Sequence, residues 1–151
     1  MLTPERVDAL RERIETGGRA KAWYDKVRDE AEALLAEPPL SRELRDGARL
    51  VFVSKDAMDR LMKLGLVWLV EGEKRFAGRA WQEMEAIAAF EDWQPTMFLS
   101  TAEMAFAMAV GYDWCCDALD EAQRATASRA IAEMGLTPGL EAYEARVDGS
   151  Q

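Results

Sequence analysis

The sequence predicts an all-α fold built from stacked antiparallel αα-hairpins, and three observations carry that prediction. Apolar residues recur at helical spacing along most of the chain, with no βαβ pattern between them. Capping residues, glycines and prolines fall between those runs. Two of the runs, opening at Ser54 and Ser100, are apolar nearly all round, whereas the runs after them keep one wet side. A helix apolar on every side belongs inside an assembly and a half-wet one outside it. Inner and outer helices in alternation describe an array of hairpins, open as a solenoid or closed as a toroid.

The elements follow in order. Thr3-Pro4 starts a first helix carrying Val7, Leu10 and Ile14, and Gly17-Gly18 stops it. A second spans about Ala20 to Ala36, with Trp23, Val27, Ala31 and Leu34 on one face and Pro38-Pro39 beyond its end. Leu40 to Val53 reads either as a short extended piece or as an entry turn. Ser54 is expected as an N-cap, with Asp56 in a first turn that favours negative charge. That helix runs to about Val70, and Gly72 breaks it. The next, about Glu73 to Ala89, sets Phe76, Ala77, Ala80, Trp81, Met84, Ile87 and Ala88 in one stripe. Lys74, Arg75, Arg79, Gln82, Glu83 and Glu85 are expected to face away. The turn "FEDWQPT" leads to the helix from Ser100. Asp120 then caps Glu121–Met134, with Ala122, Ala125, Ile131 and Met134 inward and Gly135 closing it. Thr137-Pro138 starts a last short helix with Leu140, Tyr143 and Val147. The whole is expected as one helical domain over 1–151, with 1–50 as a lead-in and 54–147 as the inner/outer hairpins.

Composition narrows the chemistry. A formal net charge of -9 opposes non-specific binding to nucleic acid or to an anionic membrane surface, so neither is expected as a partner. The chain has no histidine, which removes the commonest general base and the commonest metal ligand together. The two cysteines, Cys115 and Cys116, are adjacent; on a helix they point about 100° apart and cannot bridge each other. No metal-ligand cluster and no Gly-rich phosphate loop is present, so no metal and no cofactor is expected. The chain opens on charge without an apolar h-region, so no signal peptide is expected, and no apolar run approaches the ~20 residues a membrane helix needs.

The stretch "STAEMAFAMAVGYDWCCDAL", Ser100 to Leu119, holds most of the candidate residues. Ser100 and Glu103 have the spacing of a capping box, with Leu99 and Met104 placed as its hydrophobic staple. Asp113 sits in the second half of the helix, where the helix dipole opposes a carboxylate, so it needs a donor. Arg60, on the preceding inner helix, is the expected partner in a buried ion pair. Tyr112 and Trp114 either stack on sugar rings or fill core. Trp93 lies in a loop at the mouth of the inner helix beside Pro95, a place where ligand-contacting residues gather.

"FEDWQPTMFLSTAEMAFAMAVGYDW" and "DALDEAQRATASRAIAEMGLTPGLEAY", with "VSKDAMDRLMKLGLVWLVEGEKRFAGRAWQEMEAI" before them, resemble the heparinase II/III family of polysaccharide lyases. The resemblance runs from about Val53 to Tyr143. It implies the N-terminal portion of an incomplete (α/α) toroid, followed in family members by a β-sandwich domain, and an acidic polysaccharide as partner. Such lyases work by β-elimination: a base, often tyrosine or histidine, takes the proton beside a uronate carboxylate that neighbouring groups neutralise. Where family members carry Leu-Tyr after "YDW", this chain has Cys115-Cys116. Its tyrosines are Tyr24, Tyr112 and Tyr143, and it has no asparagine. No catalytic residue is therefore carried over, and the chain is expected to be inactive by itself. The substrate contacts implied are Trp93, Tyr112 and Trp114. The rival expectation is a non-catalytic scaffold whose exposed hairpin edge binds a protein partner or a second copy of the chain.

Overall fold

The computed structural model describes residues 2–147, and of Val147 only the backbone. Every regular element among them is helical: α1 (Pro4–Glu15), α2 (Gly18–Leu34), α3 (Val51–Glu71), α4 (Lys74–Ala88), α5 (Phe98–Cys115), a 3-10 turn (Cys116–Ala118), α6 (Glu121–Ala130), a π-helical segment (Ile131–Leu136) and α7 (Thr137–Val147). The fold is all-α.

The centre is α3. Val53, Ala57, Leu61, Leu64 and Val67 are sealed from solvent, and α1, α2, α4 and α5 pack around it. It ends at Gly72, whose left-handed conformation returns its N–H to Trp68 O at 2.8 Å. Arg11 of α1 caps the same end, donating to the carbonyls of Leu69 and Val70 at 2.6 and 2.9 Å.

Two antiparallel hairpins, α3–α4 and α5–α6, are stacked side by side. Ser54 meets Glu103, Leu61 meets Gly111 and Gly65 meets Trp114, so α3 and α5 ascend together as a parallel pair. Along α5 and the chain after it the order reverses. Arg124 donates to Cys116 O at 3.2 Å, Gly135 touches Ala105 and Gly139 approaches Phe98. Of the two helices expected inside, α3 is enclosed, whereas α5 leaves Leu99 and Phe106 57% and 51% exposed along one side.

Several expectations are corrected. Of the two readings of Leu40 to Val53 the entry turn holds and the extended piece does not: the chain turns at Asp46–Arg49 and enters α3 at Val51. Ser54 therefore lies one turn inside α3 and is no cap. Arg79 and Glu83, expected on the wet side of α4, are 3% and 0% exposed. The segment after α2 folds over them and supplies their hydrogen-bond partners. Gly135 closes nothing; the backbone widens to a π-helical segment and runs on into α7. Asp120 does cap α6, with Gln123 completing the box. The inward residues of α6 are Ala127 and Ala130, while Ala122 and Ala125 are exposed. Leu140 and Tyr143 of α7 are exposed as well, and the side chain of Val147 lies outside the described residues.

Candidate functional site

Trp93 is completely buried. Its indole N–H donates to Ile87 O at 3.2 Å, and its own carbonyl accepts from the Thr101 hydroxyl at 2.8 Å. The loop that carries it is clamped from outside. Gln94, at φ 58, accepts from Leu50 N–H and donates to Ala48 O. Asp92 receives Arg42 at 2.6 Å, which holds its carboxyl below the usual carboxylate range. Trp93 is a core residue that fastens the α4–α5 connection and offers no face to a ligand.

The pairings expected on α5 are also replaced. The helix begins at Phe98 behind Met97, with no side-chain cap. Ser100 is buried with its hydroxyl unpartnered, and Leu99 is 57% exposed, so neither capping box nor staple forms. Glu103 instead accepts from the Ser54 hydroxyl at 2.6 Å and joins the two inner helices. Asp113 is exposed and does not meet Arg60. Arg60 turns the other way, to Glu83 Oε1 at 2.7 Å and to Glu37 at 2.8 Å. Glu83 also receives Arg79 at 2.8 Å and the Leu40 N–H at 2.8 Å, so the buried ion cluster lies between α3, α4 and the segment after α2.

Trp114 is half-buried and seated on α3. A Cβ at position 65 would lie 3.0 Å from its ring, so the glycine lets the indole rest closely on α3. Beyond Trp114 opens a groove of about 310 Å³, walled by Trp23, Met62 and Leu66 and carrying Lys26, Lys63, Glu30 and Asp59. Trp23, expected in the core, is 66% exposed. Lys63 is partly buried, which alone would lower its pKa, but the carboxylates of Asp59 and Glu30 hold it above the ordinary amine value. Two cations and two carboxylates make this groove formally neutral.

Trp23 and Leu66 also line a second groove, of about 370 Å³, with Arg13, Arg19 and Tyr24. The two grooves meet at the Trp23 indole. Arg13 and Arg19 are exposed, so this half of the surface is cationic although the whole chain is strongly acidic. The arrangement suits a flat, hydroxylated ring against the indole with an anionic substituent toward the guanidinium groups. Tyr112 lines a broad depression of about 690 Å³ with Arg6, Phe106 and Asp113, and Trp114 borders both this depression and the groove of Trp23.

Tyr24 donates its hydroxyl to Glu71 Oε1 at 2.9 Å. Burial and that carboxylate push its phenol far above the ordinary value, so it holds its proton and cannot serve as a base. Tyr143 is exposed on α7. Among the described residues no cluster of three or more His, Cys, Asp or Glu could hold a metal ion, and no helix is long and apolar enough to cross a membrane. No protein-family model and no curated protein matches the chain in sequence.

Sequence reasoning missed Trp23, Arg13 and Arg19. One signal was present: "RAKAWYDK" places Arg19, Lys21 and Lys26 around the indole, more charge than a core position keeps.

Proposed function

We propose that the chain is the N-terminal helical part of a heparinase II/III-like polysaccharide lyase. In this reading it contributes a binding platform for uronate-containing polysaccharide, and the groups that move the proton are supplied from outside residues 1–151. The observation that carries the reading is Trp23, an exposed indole between two grooves with Arg13 and Arg19 on one side and Trp114 on the other. Two supports stand beside it. The "FLSTAEMAFAMAVGYDW" motif forms α5, and the parallel α3–α5 pair is the inner arrangement that an (α/α) toroid repeats. The motif's Glu103, Gly111 and Trp114 all touch α3, so it works mainly as scaffold.

The test is tryptophan fluorescence of the chain titrated with oligosaccharides from heparin, alginate and chondroitin. A saturable change is expected with at least one of them. Trp23→Ala should weaken binding by about tenfold, equivalent to about 1.4 kcal/mol. Arg13→Ala and Arg19→Ala should lower both the affinity and its salt dependence. No unsaturated-uronate absorbance should develop. A titration without response, or one that Trp23→Ala leaves unchanged, overturns the platform; turnover by this chain overturns the placement of the proton-transfer groups outside it. The second reading, a scaffold for a protein partner, is favoured by a different surface: the bare apolar side of α5.

A further inference from the structure

α5 buries one side against α3 and leaves another bare. Leu99, Ala102, Phe106, Ala109 and Asp113 are all exposed, and their spacing of three and four residues places them on one stripe. Leu99 and Phe106 are 57% and 51% exposed. The stripe runs into the depression lined by Phe106, Ala109, Val110 and Asp113, with Leu2 and Ile131 at its sides. Large apolar side chains left bare along one side of a helix call for a partner.

The geometry points to a second copy of this chain as that partner, docked antiparallel through α5 about a twofold axis. The argument is complementarity of size and charge. Along the stripe, large and small residues alternate. With two copies antiparallel about an axis near Met104, Leu99 faces the partner's Ala109, and Ala102 faces the partner's Phe106. Each large side chain then meets a small one, which lets two helices approach closely without voids. The same register carries Asp113 past the first residue of the partner subunit's α5, toward the turn that precedes that helix. The start of α5 has no side-chain cap, and its dipole favours a carboxylate. The contact is self-complementary and closes at two. A parallel pairing would set Phe106 on Phe106 and Asp113 on Asp113. This inference does not draw on the saccharide reading.

Sedimentation equilibrium of the whole chain, from micromolar to near-millimolar concentration, tests it. A monomer–dimer equilibrium is expected. Phe106→Glu should give monomer at every concentration while its circular dichroism and melting curve stay close to those of the parent. Phe52→Glu, at an exposed Phe on α3 outside the stripe, should leave the dimer intact. Asp113→Lys should raise the dimer dissociation constant by about tenfold. A mixture of Ala102→Cys and Phe106→Cys chains should form a mixed disulfide on oxidation, whereas Leu99→Cys with Ala102→Cys should not. Four outcomes overturn the proposal: a monomer throughout, a ladder of larger species, a dimer that Phe106→Glu leaves whole, or the reverse cross-linking pattern.

Discussion

Glu83 joins three parts of this fold through one carboxylate. It is sealed from solvent and receives Arg60, Arg79 and the Leu40 N–H, all within 2.7 to 2.8 Å. Arg79 reaches on to Leu34 O and Glu37 O, and Arg60 to Pro38 O. The cluster therefore staples the irregular segment after α2 to the α3–α4 hairpin. Glu83→Ala would strand Arg79, itself 3% exposed and already holding one unpartnered Nη1. A loss of roughly 3–5 kcal/mol in urea unfolding is expected, and a loss below about 1 kcal/mol would remove the cluster from its structural role. Two glycines give a finer contrast. A Cβ at Gly135 would meet Ala105 Cβ at 2.9 Å and the Trp93 ring at 3.1 Å, neither of which can swing away. At Gly111 the closest atom is Met84 Sδ, also at 2.9 Å, on a side chain that adapts. Gly135→Ala should therefore destabilise by roughly 1–3 kcal/mol. Gly111→Ala should be near neutral, its strain offset by the better helix propensity of alanine; equal melting temperatures would contradict this. At this scale the sequence was only partly legible. Spacing marked Arg79 and Glu83 as outward because the α4 stripe alone fills a helix face. What inverts them is a chain segment without periodicity, 35–50, whose path no pattern reveals. Trp23 and Trp93 were exchanged for the same reason: the environment of a lone aromatic is set by its tertiary neighbours.

Element boundaries were far more legible, because local chemistry sets them. Pro4, Gly72 and the Asp120–Gln123 box each work through groups within a turn of themselves. The inner position of α3 also followed from composition, whereas α5, equally apolar, keeps one bare side. The failures came where two local signals competed. "STAE" has the form of a capping box, but α5 starts two residues earlier, and Glu103 finds a better donor in Ser54. "GLTPG" reads as a break, but Gly135 is used for close approach to Trp93, and the helix continues through its π-helical segment. The elements also differ in how firmly they are held. α3 is enclosed by four helices, whereas α7 leaves Leu140 and Tyr143 at 61% and 70% exposure. Hydrogen exchange should rank them accordingly, with the amides of Val53–Val67 exchanging only through global unfolding and those of α7 through local opening. Protection in α7 equal to that in α3 would mean that its apolar face is covered in solution.

The whole molecule meets pH with an unusual set of groups. With no histidine, no side chain of ordinary pKa titrates across the neutral range, so stability should be flat there. On the acid side, Glu30 and Glu32 are held below the ordinary carboxylate value by hydrogen bonds from Lys63 and Arg75, and Asp92 by Arg42. Their contribution is complete above the unfolded value and is lost as pH falls below about 4. The alkaline side is the more telling. Burial raises the Cys115 thiol to about 12, and burial with Glu71 raises the Tyr24 phenol. Both groups release protons more readily when unfolded. The stability they hold is complete below their unfolded values and drains away as pH rises through the range above about 9 for the thiol and 10 for the phenol. The urea midpoint should therefore form a plateau through neutrality and fall steeply in alkali, although the net charge is already -9 before either group ionises. Tyr24→Phe lowers the plateau by removing a donor from Glu71, but it must also flatten the fall above pH 10, because phenylalanine has no proton to lose. Cys115→Ala should flatten the earlier part of the same fall. The slope separates this account from general charge repulsion, which would steepen equally in the parent and both variants; parallel alkaline limbs in all three would show repulsion in control.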